Sequence, residues 1–208
     1  MLSAFLPAAV RADGFDYSYL GAGYTSGAEP GLGTGQGYLL EGSYAVMDRF
    51  FLSAEIRHES APTANPGGDA GIDRRRLELA FRSAATPSTD LFAGLYLVNL
   101  RLDTHDPYFG AMSRNGAGLE FGLRTLTTER WELELTADLD NRGILARDEG
   151  RFGTAIDLDA RELVLTGALR FHATDRFSVG LDYGMRYVSR DNHSASGGAW
   201  LLSGRWYF

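Results

Sequence analysis

The chain has 208 residues, enough for one domain, with a formal net charge of −7 and no cysteine. A disulfide framework and a thiolate metal site are therefore excluded. All 20 basic residues are arginine, no basic run extends beyond Arg74-Arg75-Arg76, and nucleic acid is excluded as a partner.

Hydrophobic residues make up 44% and charged residues 23% of the chain, and no apolar run approaches the ~18 residues of a membrane-spanning helix. That composition misleads where only every second residue must be apolar. In chain order, Met1 to Val10 is a short apolar run, and Val10-Arg11-Ala12 resembles a secretory cleavage site ahead of Asp13. Residues 1–12 are expected to be a truncated secretory signal and 13–208 one domain.

From Phe15 onward the dominant pattern is alternation with a period of two, the mark of strands. The first strand, over 15–25, is rich in Tyr and Gly and has no clear facing. The second, over 37–46, sets Tyr38, Leu40, Tyr44 and Val46 against Glu41 and Ser43. After Met47-Asp48-Arg49, Phe50, Leu52, Ala54 and Ile56 alternate with Phe51, Ser53, Glu55 and Arg57. Leu77, Leu79 and Phe81 then alternate with Arg76, Glu78, Ala80 and Arg82. Residues 91–102 are apolar on both faces until Asn99 and Arg101. Ala117, Leu119, Phe121 and Leu123 oppose Gly118, Glu120, Gly122 and Arg124.

Residues 131–140 give the clearest case: Trp131, Leu133, Leu135, Ala137 and Leu139 face one way, and Glu132, Glu134, Thr136, Asp138 and Asp140 the other. A helix would scatter those carboxylates around its circumference, whereas a strand gathers them on one side. Leu163, Leu165, Leu169 and Phe171 oppose Glu162, Val164, Thr166, Ala168 and Arg170. Phe177, Val179, Leu181, Tyr183, Met185 and Tyr187 oppose Asp182 and Arg186. The tenth strand sets Trp200, Leu202, Trp206 and Phe208 against Leu201, Ser203, Arg205 and Tyr207.

The links at 47–49, 85–90, 127–130 and 172–176 read as short turns, and those at 26–36, 59–73, 103–115, 141–160 and 188–198 as long loops. Such alternation of link lengths is expected of an all-β, closed, antiparallel, up-and-down transmembrane barrel of about ten strands, eight being the alternative. Aromatics on the apolar face sort to its ends. Phe50, Phe92, Trp131 and Phe177 lie near the short turns, while Tyr24, Tyr38, Tyr187 and Trp200 lie near the long loops. Two such belts fit the girdles at the lipid–water boundaries, which turns the apolar face outward and the charges inward. The expected lumen network is Glu41, Glu55, Arg57, Glu78, Arg82, Arg101, Glu120, Arg124, Glu132, Glu134, Asp138, Glu162, Arg170, Asp182, Arg186 and Arg205. Cross-strand Arg–carboxylate pairs would satisfy these charges and leave the lumen of so small a barrel largely blocked.

The terminal Ser203-Gly204-Arg205-Trp206-Tyr207-Phe208 and the opening Asp13-Gly14-Phe15-Asp16-Tyr17-Ser18-Tyr19-Leu20-Gly21-Ala22-Gly23-Tyr24 carry a family resemblance. The chain resembles the small OmpA/OmpX-type outer-membrane barrels of Gram-negative bacteria, which typically have eight strands. The resemblance implies an outer-membrane location and contact with outer-membrane lipid and lipopolysaccharide. It also makes Trp206 and Phe208 an assembly signal for the outer-membrane insertion machinery. A structural or surface-interaction role follows, with a protein partner possible through the extracellular loops. A small channel or porin-like pore is one alternative, and an outer-membrane enzyme acting on lipid A or peptides is another.

Candidate chemistry is sparse, and neither a catalytic residue nor a cofactor or metal site is expected. His58 and Ser60 share a face around Glu59, an arrangement similar to that of lipid A deacylases and compatible with a base and a nucleophile. An interfacial His beside a loop entry is the simpler account. His105 with Asp103 and Asp106, and His193 with Asp191, could form an omptin-like acid/His site, but solvated loop residues suffice. Asp148-Glu149 with Asp157 and Asp159 lacks EF-hand spacing, and no helix pattern follows Gly31-Leu32-Gly33-Thr34-Gly35 to make a phosphate loop.

Overall fold

A computed structural model describes residues 15–28, 34–62, 69–103, 111–142, 160–190 and 193–208. Ten strands follow one another: β1 (Tyr19–Ala28), β2 (Thr34–Met47), β3 (Phe50–Pro62), β4 (Asp69–Thr86), β5 (Thr89–Asp103), β6 (Ala111–Leu126), β7 (Trp131–Arg142), β8 (Ala160–Thr174), β9 (Phe177–Arg190) and β10 (His193–Tyr207). Each pairs antiparallel with its chain neighbours, and β1 pairs with β10 from Tyr19↔Tyr207 to Gly27↔Ala199, closing the barrel. Closure leaves no sheet edge unpaired, as a structure crossing lipid requires.

The residues that alternate in sequence separate cleanly across the wall. Leu95 on β5 is 67% exposed, while Tyr96 beside it is 2% exposed and points inward. The outer surface is a band of Leu, Val, Ile and Ala, and the interior holds most of the charge. This inverts the arrangement of a soluble barrel.

At the short-turn end, outward aromatics meet across strands: Phe50 with Phe81 (5.4 Å between centroids), Trp131 with Phe171 (5.0 Å) and Phe177 with Trp206 (6.4 Å). Near the other end Tyr183 packs on Trp200 (4.5 Å). Tyr24, Tyr38, Tyr187, Trp200 and Phe208 are also exposed on this face.

Phe92 departs from the sequence reading. It is only 7% exposed and lies inside the barrel, in a cluster with Phe15, Tyr17, Phe51 and Ala80. Its strand is apolar on both faces, so alternation could not choose. The choice rests on a vacancy, since a Cβ at Gly122 on the neighbouring strand would lie 2.1 Å from Phe92 Cζ. The ring occupies the space that glycine leaves.

The strands also run further than their apolar alternation. β3 continues to Pro62 and β4 begins at Asp69, so most of the predicted 59–73 loop is ladder. The predicted 188–198 link shrinks to 191–192, because Ser194 to Ala199 pair with Ser189 to Gly184. Backbone pairing needs no alternation once the strand leaves the apolar zone. Beside three of the short turns the register slips, at Ala45/Met47, Ala84/Thr86 and His172/Thr174. A bulge there adds the twist that a tight hairpin needs.

The expected leader over 1–12 lies outside the described residues, as do Gly31 to Gly33, His105, Asp106, Asp148, Glu149, Asp157, Asp159 and Asp191.

Candidate functional site

The middle of the lumen is organised by Arg76, which β4 turns inward between Arg74 and Glu78. Its Nη2 donates to Glu78 Oε2 (2.9 Å) and to Glu120 Oε2, and its Nη1 donates to Asp138 Oδ1 (2.8 Å). The guanidinium also stacks 3.9 Å from the Tyr96 ring centroid. One planar cation thus ties three carboxylates on β4, β6 and β7, a geometry that Lys could not supply.

A second tie crosses β1. Arg205 on β10 binds Glu41 on β2 in bidentate fashion, through Nε (2.7 Å) and Nη2 (3.1 Å). The two side chains meet over Gly21, where an added Cβ would lie 2.7 Å from Glu41 Oε1. Arg205 also reaches Glu134 (3.6 Å), Arg170 lies 3.9 Å from the same carboxylate, and Arg186 pairs with Glu162 (3.0 Å). Near the other mouth Arg57 contacts Glu55 (3.4 Å) and Glu59 (4.0 Å). Asp182 is buried on β9 beneath this network.

The short-turn mouth is closed differently. Residues 15–18 precede β1 and run inside the wall, with Phe15 and Tyr17 buried. The Tyr17 hydroxyl donates to Asp90 (3.0 Å), which Arg82 also binds (3.1 Å). The Tyr17 ring packs on Phe51 at 4.7 Å. Arg124 clamps the segment from the other side. Its Nη1 donates to the Asp16 carbonyl (3.1 Å), and its guanidinium sits 4.8 Å from the Phe15 ring centroid. Arg124 is itself fixed by Glu132, through Nε (2.7 Å) and Nη2 (2.9 Å), and His172 completes the carboxylate's coordination at 3.0 Å. The result is an aromatic and ionic stopper across the lumen.

Arg101, expected inside, is on the outer face. Its side chain is 56% exposed and shares the parity of Leu95 and Leu97. Above the apolar band β5 is polar outside, at Asn99 and Arg101, and apolar inside, at Leu100 and Leu102, so polarity there reports the opposite direction. Arg101 belongs to an outer rim built of cross-strand rows. Ile56, Arg75, Asn99 and Asn115 form one row, and His58, Asp73, Arg101 and Ser113 the row beyond it. Immediately below lies the apolar row Ala54, Leu77, Leu97 and Ala117. His58 Nδ1 and Asp73 Oδ1 are 2.7 Å apart, and the imidazole packs on Tyr38 at 5.3 Å. Ser60 lies on the outer face with His58, while Glu59 between them points into the lumen.

No protein-family model matches the chain, and no curated protein matches it in sequence. Solved structures resemble it in backbone. The NanC porin is 12% identical, with 92% of this chain and 99% of that one covered and a TM-score of 0.47. The CymD monoaromatic hydrocarbon channel is 10% identical (93% and 89% covered, TM-score 0.45). The outer membrane protease OmpT from Escherichia coli is 9% identical (92% and 94% covered, TM-score 0.45). The fold stated above rests on the strand pairing itself.

The alternation sets Arg76 and Asp140 on the charged faces of their strands without counting them in the network, and leaves Glu59, Arg74 and Asp90, all turned inward, and the closing residues Phe15 and Tyr17 unassigned. Glu59 and Arg74 keep their strands' inward parity once β3 and β4 are extended to their true ends, whereas Asp90 shares the parity of Phe92, on a strand whose alternation does not choose a face. Residues 15–18 offered no signal, because four residues outside a strand carry no period.

Proposed function

We propose that the protein is a non-conducting, non-enzymatic outer-membrane β-barrel of a Gram-negative bacterium, a rigid scaffold for the segments at its long-link end. The observation that carries this is the stopper. Tyr17 is pinned between Phe51, Asp90 and Arg124 at the mouth opposite those segments. A porin-like role needs a continuous water path, and here that path would have to cross buried aromatic rings and a bidentate ion pair. The outward apolar band between aromatic belts supports a bilayer location, and closed barrels with short turns on one side are the outer-membrane form. Partners would then be outer-membrane lipid and lipopolysaccharide along the wall, the insertion machinery through Trp206 and Phe208, and a further protein at the exposed end.

Planar-bilayer recording tests this reading. The reconstituted barrel is expected to show no stable unitary current, whereas Tyr17→Ala combined with Phe15→Ala is expected to produce openings. Large, stable conductance from the unaltered protein would contradict a closed lumen.

A further inference from the structure

The upper belt of the barrel is divided. On β1, β2, β9 and β10 it is aromatic, with Tyr24, Tyr38, Tyr187 and Trp200 exposed. Across β4 to β6 the same boundary is polar, and the change takes a single row. Leu77 and Leu97 are exposed apolar side chains, and one step along each strand stand Arg75 and Asn99. Asn99 Nδ2 donates to Asn115 Oδ1 at 2.7 Å, a hydrogen bond between side-chain amides on the outer surface.

Arg75 is exposed, and among the described residues it has no ion-pair partner. Asp73, two residues along the same face, is engaged by His58. An arginine on a lipid-facing wall is costly to a degree that depends on depth, and its aliphatic stem can carry the charge up to the head groups. Among the described residues no carboxylate pairs with Arg75, and the head groups can supply the counter-charge. Guanidinium favours bidentate binding of phosphate, and in the next row stands the exposed Arg101, whose Nη2 also lies 4.0 Å from Asp103 Oδ2.

We propose that Arg75, with Arg101 and the Asn99–Asn115 amide pair, binds the phosphate groups of the glycolipid in the outer leaflet. The rim lies on the long-link side, which faces that leaflet in the outer-membrane reading, and the inference rests on that reading. A single polar row directly above exposed leucines suits a lipid head group, whose own acyl chains would lie along Leu77 and Leu97. A docked protein would need a broader patch.

The test uses the full chain extracted from outer membranes in mild detergent, as wild type, Arg75→Gln and Arg75→Lys. Native mass spectrometry then counts the lipids retained. The added probes are the phosphorylated glycolipid, the same glycolipid with its phosphates removed, and phosphatidylglycerol. Wild type is expected to hold the phosphorylated glycolipid about tenfold more tightly than Arg75→Gln does, with Arg75→Lys between them. Removal of the phosphates should erase the difference, and phosphatidylglycerol should not compete. Equal retention with and without phosphates would overturn the proposal. So would equal competition by phosphatidylglycerol, or loss of a bound protein chain in place of lipid. Unchanged heat-modifiable migration shows that the variants fold. Absence of the wild-type protein from the outer-membrane fraction would instead refute the location on which the inference rests.

Discussion

Glu132→Ala is expected to lower the unfolding free energy by about 3–5 kcal/mol, because it leaves Arg124 charged, buried and without its bidentate partner. Glu132 is 1% exposed and Arg124 is buried beside it, so little water can replace the lost contacts. Most of that cost belongs to the stranded guanidinium and not to the pair. Removing both charges together, as Arg124→Met with Glu132→Leu, should therefore recover most of the stability. Urea unfolding in lipid vesicles, followed by tryptophan fluorescence, measures both. A loss under about 1 kcal/mol for Glu132→Ala would mean that the pair is hydrated, as exposed pairs are. The double variant has a second use, since Arg124 also holds the Asp16 carbonyl and the Phe15 ring. It should keep the fold while loosening the stopper.

Arg76→Met is the second large effect. The substitution keeps an unbranched apolar stem but removes the cation shared by Glu78, Glu120 and Asp138. Three neighbouring carboxylates then lose the cation they share, at a cost of about 3–5 kcal/mol near neutral pH. Urea unfolding of variant and wild type in lipid vesicles measures the loss, and Arg76→Lys, which restores a cation without the planar fork, should recover part of it. Equal losses for Arg76→Met and Arg76→Lys would show that the loss is one of packing over Tyr96 and not of charge.

The physical basis of these expectations was only partly legible in the sequence. Residues 131–140 declare their strand, their two faces and the side the carboxylates take without help from any other part of the chain. That Asp138 ends at Arg76, 62 positions away in sequence, is a matter of register and barrel curvature. Alternation carries neither. The misplacements of Phe92 and Arg101 have a common root. Alternation locates a side chain only where the two faces differ in polarity, with the apolar one outside. Residues 91–98 are apolar on both faces, and beyond Leu97 the polarity inverts, with Asn99 and Arg101 on the outer parity and Leu100 and Leu102 on the inner. The pairing of His58 with Asp73 was hidden for a third reason, because Asp73 lay in a segment read as loop until its ladder with β3 was seen. The stopper was least visible, being held by contacts to four distant strands.

The closed lumen, the buried ion pairs and the glycolipid site all require that lipid meets the apolar face and that the charges lie inside. The three tryptophans, Trp131, Trp200 and Trp206, are all on the outer face, two at the short-turn belt and one at the other. Tryptophan quenching by brominated lipids in reconstituted vesicles therefore reads the orientation of the wall directly. Strong quenching is expected from bromines placed just below the head groups, weaker quenching from bromines at the chain ends, and little from aqueous iodide. Efficient quenching by iodide with no response to either brominated lipid would mean that the apolar face does not meet the bilayer.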